Sequence, residues 1–293
     1  MRLITAALAG LWALPAAAQD MTELTLNVTV EWQGPEAEGA AYSFADAAFQ
    51  ITLNWADGGE WVESVTVMIE RGAAPPFAFD IPAGLQGYGQ IGVYEMGDAA
   101  GPVLIVGAYT GGAHCCEQIY LVDLGQNDTT PVDAGMYDGG VIYPIDADGD
   151  GKFEIVVPDP RFHYTFDCYA CGAPPDAVFT LEGGAFVDIS DRPAFRDLFV
   201  ENFNRMSESC GAGPEWSAGV CAGLLGAAAR LGIYDGTLAI LKPGLTAKGD
   251  KLTMTWNEFS FCTNDDCSEQ TVFNDFVEAV DYALREWGYL PAN

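Results

Sequence analysis

The chain has 293 residues and a formal net charge of −30, because it contains 42 acidic residues and only 12 basic ones. Such a surface repels the phosphates of nucleic acids and the head groups of anionic lipids, which proteins bind through Lys and Arg. The composition therefore argues against nucleic-acid binding and against a membrane-surface role, and it favours the binding of cations.

Residues 1–18 have the features of a secretory signal peptide. Arg2 precedes an apolar stretch that runs to Leu14, and small residues at Pro15–Ala18 lead into a polar segment. The apolar stretch is shorter than the roughly 20 residues that span a bilayer. We therefore expect cleavage after Ala18 and export to the periplasm or the exterior, without insertion into a membrane.

The next part of the chain has the pattern of β-strands as far as about Ile189. Some segments alternate apolar and polar residues, as half-buried strands do, and a turn at Asp57-Gly58-Gly59 joins two of them in a hairpin pattern. Other segments are short apolar runs typical of buried strands. The alternating segments are Leu24–Val30, Phe49–Trp55 and Trp61–Ile69, and the apolar runs are Val103–Val106 and Ile155–Val157.

After Asp191 the spacing of apolar residues becomes helical. Asp191 is placed to cap the first helix, and Gly232 is placed to end the second. The predicted helices cover Phe195–Met206, Trp216–Leu231 and Phe273–Trp287, and one more strand is predicted at Lys251–Phe261. The sequence thus predicts an α+β fold, with propeller-blade-like antiparallel sheets in a β-rich region at 19–190 and a mainly helical region at 191–293 packed on it.

An acidic loop, Asp146-Ala147-Asp148-Gly149-Asp150-Gly151-Lys152-Phe153-Glu154, precedes the predicted strand at Ile155. Calcium binds about six to eight oxygen ligands. The side chains of Asp146, Asp148, Asp150 and Glu154, with the backbone carbonyl of Lys152, can supply most of them. The two glycines allow the backbone to curl around an ion. The loop therefore predicts a structural calcium site, and a surface turn without metal is the alternative.

The segment Asp146–Val157 resembles the calcium loop of FG-GAP/VCBS-type repeats, as found in integrin-like β-propeller blades. The resemblance extends over roughly residues 90–190, and it implies a loop between two strands of a blade that holds a mainly structural ion. A weak internal repeat agrees, because Gly101–Val106 is similar to Gly151–Val156 about fifty residues later. A complete propeller would need more β sequence than the chain contains. The stretch Thr110–Cys116 also resembles a motif of uncharacterised secreted bacterial proteins, which supplies no function.

Eight cysteines, all after the signal peptide, predict disulfides in an oxidising compartment. If the internal repeat holds, its two cysteine pairs occupy comparable places in neighbouring β units, so we expect bonds between the pairs. A vicinal bond between adjacent cysteines is a strained alternative. The expected partners are Cys115 and Cys116 with Cys168 and Cys171, Cys210 with Cys221, and Cys262 with Cys267.

The two histidines, His114 and His163, each lie near a cysteine pair, which leaves open a copper or zinc site. The oxidising compartment favours disulfides over thiolate ligands, so the interpretation that we prefer is structural histidines. A redox role for Cys168-x-x-Cys171 is disfavoured because Gly172–Pro175 cannot continue a helix that would lower the pKa of the first thiol.

The sequence contains no nucleophile elbow, phosphate-binding loop or His-Glu-x-x-His motif. We therefore predict an exported, calcium-binding, disulfide-stabilised protein that acts as a non-enzymatic module for a protein or glycan ligand. The alternatives are a calcium-dependent secreted hydrolase and a periplasmic His/Cys redox or copper/zinc protein. Several aromatic residues could form a sugar-binding face, although core positions are the more common place for them. They are Trp32, Trp55, Trp61, Tyr88 and Tyr94.

Overall fold

The computed structural model describes residues 21–84, 87–112, 116–126, 130–138, 140–211, 217–247, 255–257, 270–273 and 276–292. The predictions for the signal peptide, His114, Cys115, Cys262 and Cys267 lie outside the described residues, as does most of the strand predicted at Lys251–Phe261.

The described residues form fifteen strands and four α-helices. The strands are β1 (Thr22–Glu23), β2 (Val28–Gln33), β3 (Ala41–Phe44), β4 (Ala47–Trp55), β5 (Val62–Arg71), β6 (Phe77–Pro82), β7 (Tyr88–Tyr94), β8 (Val103–Tyr109), β9 (Glu117–Asp123), β10 (Val132–Tyr137), β11 (Ile155–Pro158), β12 (Asp176–Glu182), β13 (Ala185–Asp188), β14 (Thr255–Asn257) and β15 (Gln270–Val272). The helices are α1 (Arg196–Ser207), α2 (Ala218–Arg230), α3 (Tyr234–Ala247) and α4 (Phe276–Glu286), and short 3-10 turns lie at Gly34–Ala37, Pro160–Phe162, Tyr169–Cys171 and Pro193–Phe195.

Three sheets and a helical layer are stacked on one another. The outer sheet has the order β1-β3-β4-β5-β6, the central sheet β10-β9-β8-β7-β2 and the third sheet β11-β12-β13. One face of the central sheet shares a core with the outer sheet, which includes Ile51, Val67 and Val106. Its other face packs on the third sheet through residues such as Ile105 and Leu181. Helix α1 then packs on the far side of the third sheet, where Leu231, the residue that follows α2, joins the same core.

The α+β prediction is confirmed, and the described strands form no closed barrel or propeller. The two similar segments of the internal repeat occupy different places. β8 is the middle strand of a five-stranded sheet, whereas β11 is the edge strand of a three-stranded sheet. The described sheets have five, five, three and two strands, so the two segments of the repeat lie in sheets of different size.

The β-hairpin prediction is confirmed, and one strand prediction is wrong in its extent. β4 and β5 pair across the turn at Asp57-Gly58-Gly59, where Gly58 adopts a φ of 99°. The segment Leu24–Val30 is not a single strand, because Asn27 has a φ of 62° and breaks it before β2 begins. The Asn27 side chain accepts a hydrogen bond from the Glu95 N–H at 3.0 Å, which stabilises this break.

The sequence predicted the end of α2 correctly, but it did not predict the start of α1. Gly232 has a φ of 71°, and the N–H groups of Gly232 and Ile233 donate to the carbonyls of Ala229 and Ala228, both at 2.9 Å. This is the double hydrogen bond of a glycine-terminated helix, as predicted. Asp191, in contrast, does not cap α1, because the 3-10 turn Pro193–Phe195 intervenes.

Helix α3 was not predicted from the sequence. It contains Gly236, Pro243 and Gly244, residues that lower helix propensity and mask the helical pattern. In the part of the chain that the structure describes, no helix is both long and apolar enough to cross a membrane.

Helix α2 approaches its neighbours through a face of glycines. A Cβ at Gly219 would lie 2.7 Å from Gly172 Cα, one at Gly223 would lie 1.9 Å from the Ala173 carbonyl oxygen, and one at Gly226 would lie 2.8 Å from Phe162 Cζ. These three positions, four and three residues apart, lie on one side of the helix. The segment that follows β11 can therefore pack directly against the α2 backbone.

A buried polar network joins the third sheet to the C-terminal helices. The Asp159 side chain is 1% exposed, and it accepts hydrogen bonds from Arg161 Nε at 2.8 Å and from the Tyr289 hydroxyl at 2.7 Å. The Arg230 guanidinium lies 4.2 Å from the centre of the Tyr289 ring. It also forms an ion pair with Asp188 at 3.0 Å. The network therefore links residues that are far apart in sequence.

We expect Tyr289→Phe to lower the free energy of unfolding by about 1–3 kcal/mol, because the buried Asp159 carboxylate would lose a donor. Urea unfolding followed by circular dichroism measures this change. Tyr164→Phe is the matched control, because that side chain is 67% exposed. We expect the control to change stability by less than about 0.5 kcal/mol. A loss of stability in Tyr289→Phe that is no larger than the loss in Tyr164→Phe would show that the Tyr289 hydroxyl contributes nothing to stability.

Candidate calcium site and a buried carboxyl group

The acidic loop is closed at its base by an isolated antiparallel bridge between Ile145 and Glu154. The two backbone hydrogen bonds of this bridge measure 2.9 and 2.8 Å. Within the loop, the Asp146 carboxylate accepts from the N–H groups of Gly149 at 2.8 Å and Gly151 at 3.2 Å. Both glycines have positive φ, 79° and 87°, a conformation that other residues resist. The sequence thus folds locally into a turn that is held together by the Asp146 carboxylate.

Three of the predicted side chains come together. One carboxylate oxygen from each of Asp146, Asp148 and Glu154 lies within 4.8 Å of the other two. Two ligands of the same calcium ion can be separated by at most twice the metal–oxygen distance, or about 5 Å. The three oxygens therefore fit a shared calcium ion.

The other two predicted ligands have different surroundings. The Asp150 carboxylate accepts from the Lys152 N–H at 2.7 Å and is not part of the group of three. The Lys152 ammonium donates to the Gly97 carbonyl oxygen. This contact, which the sequence did not indicate, ties the loop to the segment that follows β7.

Glu154 is the buried member of the group, with 4% of its surface exposed. Burial raises its pKa to about 7, and the charges of Asp148, Asp150 and Asp146 act in the same direction. The Ala147 N–H, which donates to Glu154 Oε2 at 2.9 Å, opposes the rise. A carboxylate with this surplus of negative charge around it is a suitable ligand for a cation.

The predicted bonds between the two cysteine pairs are wrong, because Cys168 is bonded to Cys171, with their Cα atoms 5.0 Å apart. The reason is local. A hydrogen bond of 2.9 Å from the Cys171 N–H to the Cys168 carbonyl closes a 3-10 turn that brings the two thiols together. Cys116 is also disulfide-bonded. None of the cysteines in the described ranges is free.

The predicted Cys210–Cys221 bond is confirmed, with a Cα–Cα distance of 4.9 Å, and it ties the end of α1 to α2. Asp167 lies close to Cys168 and Cys171, but the disulfide removes the thiolates that a metal would need.

His163 is packed as a half-buried ring. It stacks on Tyr169 with ring centres 5.0 Å apart, its Nδ1 has no hydrogen-bond partner, and burial lowers its pKa. Neither of the groups with metal-ligand distances in the described residues contains His163.

The five aromatic residues considered for a sugar-binding face are divided between core and surface. Trp32 and Tyr94 are 4% and 2% exposed, whereas Trp55 and Trp61 are 38% and 48% exposed. Tyr88 stacks on Tyr109 with ring centres 4.5 Å apart. The five side chains therefore do not form one exposed face.

Sequence reasoning missed Glu117, a fully buried carboxyl group at the start of β9. Its exposure is 0%, and neither carboxylate oxygen has a hydrogen-bond partner. Gly107 on the neighbouring β8 leaves room for it, because a Cβ there would lie 2.8 Å from Glu117 Oε1. Burial raises the pKa of Glu117 to about 8, and the charge of Glu31 adds to this effect. Among 42 acidic residues, nothing in the sequence distinguishes this one.

Comparison with known proteins gives distant relatives. No family model and no solved structure matches the chain. A protein of Synechocystis named "Probable thylakoid lumen protein" is 30% identical over 200 residues, which cover 65% of this chain and 57% of that protein. An "Uncharacterized protein" of Sinorhizobium fredii is 33% identical over 100 residues, which cover 34% of this chain and 16% of that protein. The chain thus spans less than two thirds of either relative.

The raised pKa of Glu117 predicts that stability falls as pH rises. Between pH 4.5, its ordinary pKa, and pH 8, the folded protein holds a proton at Glu117 that the unfolded chain lacks. The loss is at most about 1.4 kcal/mol per pH unit in this window. Glu117→Gln removes the ionisation, so we expect the variant to be more stable than the parent at pH 8 and similar to it at pH 5.

Urea unfolding at pH 5, 6, 7 and 8 measures this difference. The control is Glu60→Gln, an exposed acid in the β4–β5 turn, which should follow the pH dependence of the parent protein. Parallel stability curves for Glu117→Gln and the parent would contradict the prediction.

Proposed function

We propose that the chain is an exported, calcium-binding protein, stabilised by disulfides, that acts as a non-enzymatic binding module. One observation carries the calcium proposal. Carboxylate oxygens of Asp146, Asp148 and the buried Glu154 lie within 4.8 Å of one another in a loop closed at its base. Oxygen ligands of this kind suit a hard cation such as calcium.

The position of the loop supports a structural role for the ion. The Phe153 N–H donates to the Glu95 carbonyl at 2.8 Å, and Lys152 bonds to Gly97, so the end of the loop is attached to the segment after β7. β11 of the third sheet begins immediately after Glu154. An ion that fixes the loop would therefore stiffen the connection between the central sheet and the third sheet.

Two observations support export of the protein from the cytoplasm. The relative from Synechocystis is named as a protein of the thylakoid lumen, a compartment outside the cytoplasm. The described part of this chain contains the disulfides Cys168–Cys171 and Cys210–Cys221, which are typical of oxidising compartments. Both observations agree with the predicted signal peptide.

A binding module fits the described surface better than the alternatives. Cys168 and Cys171 form a disulfide, so these two cysteines cannot serve as thiolate ligands of a copper or zinc ion. A cavity at β2, the edge strand of the central sheet, is not lined by residues 146–154, so the calcium loop does not contribute to that cavity. Tyr164, in contrast, is 67% exposed and lies against Tyr169, with ring centres 5.4 Å apart. An exposed tyrosine ring with a second ring beside it can act as a contact point for a protein or glycan ligand.

The test is thermal unfolding of the oxidised protein in calcium and in excess chelator. At a calcium concentration about 100 times its Kd, binding to the folded state should add about 2.7 kcal/mol of stability and raise the midpoint. Magnesium at the same concentration should raise the midpoint less, because it demands a smaller and more rigid ligand shell.

Asp148→Asn should remove most of the calcium response, because the amide keeps the shape of the side chain but not its charge. Asp57→Asn is the matched control in the exposed β4–β5 turn, and it should keep the full response. The calcium proposal fails if calcium leaves the midpoint unchanged and elemental analysis of the purified protein finds no bound ion.

A further inference from the structure

The disulfides Cys168–Cys171 and Cys210–Cys221 differ in their exposure to solvent. Cys168 is exposed and Cys171 is partly exposed. Cys210 and Cys221, in contrast, are 7% and 0% exposed. A thiol has to reach a sulfur atom to exchange with a disulfide, so exposed disulfides are the labile ones in proteins. The Cys168–Cys171 bond is therefore the more open of the two to attack.

The two bonds also differ in what they hold together. Cys168 and Cys171 are three residues apart and belong to one 3-10 turn, whereas Cys210–Cys221 spans eleven residues and ties the end of α1 to α2. The stability that a disulfide gives by restricting the unfolded chain grows with the length of the loop that it closes. Opening the Cys168–Cys171 bond should therefore cost the fold less.

Hydrogen bonds hold the turn in place without the disulfide. The Cys171 N–H donates to the Cys168 carbonyl at 2.9 Å, and the Cys168 N–H donates to the Asp167 carboxylate at 2.8 Å. The Ser217 hydroxyl, just before α2, donates to the same carboxylate at 3.0 Å. None of these three bonds involves a sulfur atom. The turn can thus keep its shape after reduction and hold the two thiols close enough to form the bond again.

The Asp167 carboxylate determines the direction in which this site can act. One of its oxygens lies within 4.8 Å of both sulfur atoms. A negative charge at this distance opposes the formation of a thiolate on either cysteine. The cysteines with which oxidoreductases attack other molecules need the opposite, a stabilised thiolate. The site is therefore suited to receiving electrons from a reductant and not to attacking another disulfide.

An exposed aromatic ring lies beside the turn. Tyr164 is 67% exposed, and its ring centre is 5.4 Å from that of Tyr169, the residue that follows Cys168. Tyrosine side chains give a partner protein a large contact surface. A protein that approaches the sulfur of Cys168 can pack on this ring, whereas a small thiol does not need it.

We propose that Cys168–Cys171 is a reversible redox site that accepts two electrons from a dithiol protein of the thioredoxin class. A thiolate of the reductant attacks Cys168 Sγ, the S–S bond breaks, and Cys171 leaves as a thiolate. The second thiolate of the reductant then attacks the mixed disulfide and releases Cys168, so the reductant becomes a disulfide. The two protons lost by the thiols of the reductant are balanced by the two that Cys168 and Cys171 take up from water. The inference goes beyond the proposed binding role and does not depend on the calcium loop.

The first experiment treats the folded, oxidised full-length protein with graded dithiothreitol, traps free thiols with N-ethylmaleimide and identifies them by mass spectrometry. Trypsin separates the two disulfides into the peptides 162–196 and 206–230. We expect peptide 162–196 to be labelled at a dithiothreitol concentration at least about tenfold lower than peptide 206–230. The circular dichroism spectrum should stay that of the folded protein, and the bond should form again when the reductant is removed. Labelling of both peptides together, or of 162–196 only in denaturant, would overturn the proposal.

The second experiment tests the class of reductant. A catalytic amount of thioredoxin, kept reduced by its reductase and NADPH, should accelerate the labelling of peptide 162–196. Tyr164→Ala should slow this reaction and leave the reaction with dithiothreitol unchanged. Trp61→Ala is the matched control, because Trp61 is 48% exposed next to β5, and it should change neither rate. No acceleration by thioredoxin, or equal effects of the two substitutions, would contradict a dithiol protein as the partner.

Asp167→Asn tests the effect of the charge. The amide keeps the shape of the side chain but removes the negative charge beside the sulfurs, so Cys171 should leave more readily and reduction by dithiothreitol should be faster. Asp57→Asn, in the exposed β4–β5 turn, is the control and should leave the rate unchanged. A purely structural role of Asp167 predicts no such acceleration. An unchanged or lower rate in Asp167→Asn would therefore contradict the role that we assign to its charge.

Discussion

The attachment of the sheets to the C-terminal helices depends on one buried carboxylate, that of Asp159. A charge with 1% of its side chain exposed is stable only if donors replace the lost water, and Arg161 and Tyr289 are those donors. Tyr289 is itself held under the Arg230 guanidinium, which is paired with Asp188 at the end of β13. Each group is needed to satisfy the next, so the third sheet, α2 and the end of the chain are held in one arrangement.

Among the described residues, the buried carboxyl groups of Asp159, Glu154 and Glu117 are accommodated in three different ways. Asp159 is surrounded by donors. Glu154 has one backbone donor and three neighbouring carboxylates, so its burial is favourable with a cation beside it, as we propose. Glu117 has no hydrogen-bond partner, and its pKa is raised to about 8, so the neutral form is stable at neutral pH. The environment, rather than the residue type, decides the role of each acid.

The sequence predicted those features that are encoded within a few residues. The β4–β5 hairpin, the helix end at Gly232 and the turn geometry of the acidic loop each follow from local glycine and carboxylate positions. It failed where distant segments decide the outcome. Asp191 accepts a hydrogen bond from Arg230 instead of capping α1, a contact between residues 39 positions apart. The stacking of three sheets and the burial of Glu117 arise from such tertiary contacts, which no local pattern contains.

The glycine face of α2 determines which positions of this helix tolerate substitution. Gly219, Gly223 and Gly226 lie so close to neighbouring atoms that even an alanine would collide, whereas a Cβ at Gly236 in α3 would meet nothing within 4 Å. A saturation mutagenesis map would therefore show three intolerant positions on α2 and a tolerant one on α3, although both are helical glycines. Intolerance on α2 reports the spacing between backbones. A search that identified functional residues only by their sensitivity to substitution would therefore select the glycines of this helix rather than the residues of the acidic loop.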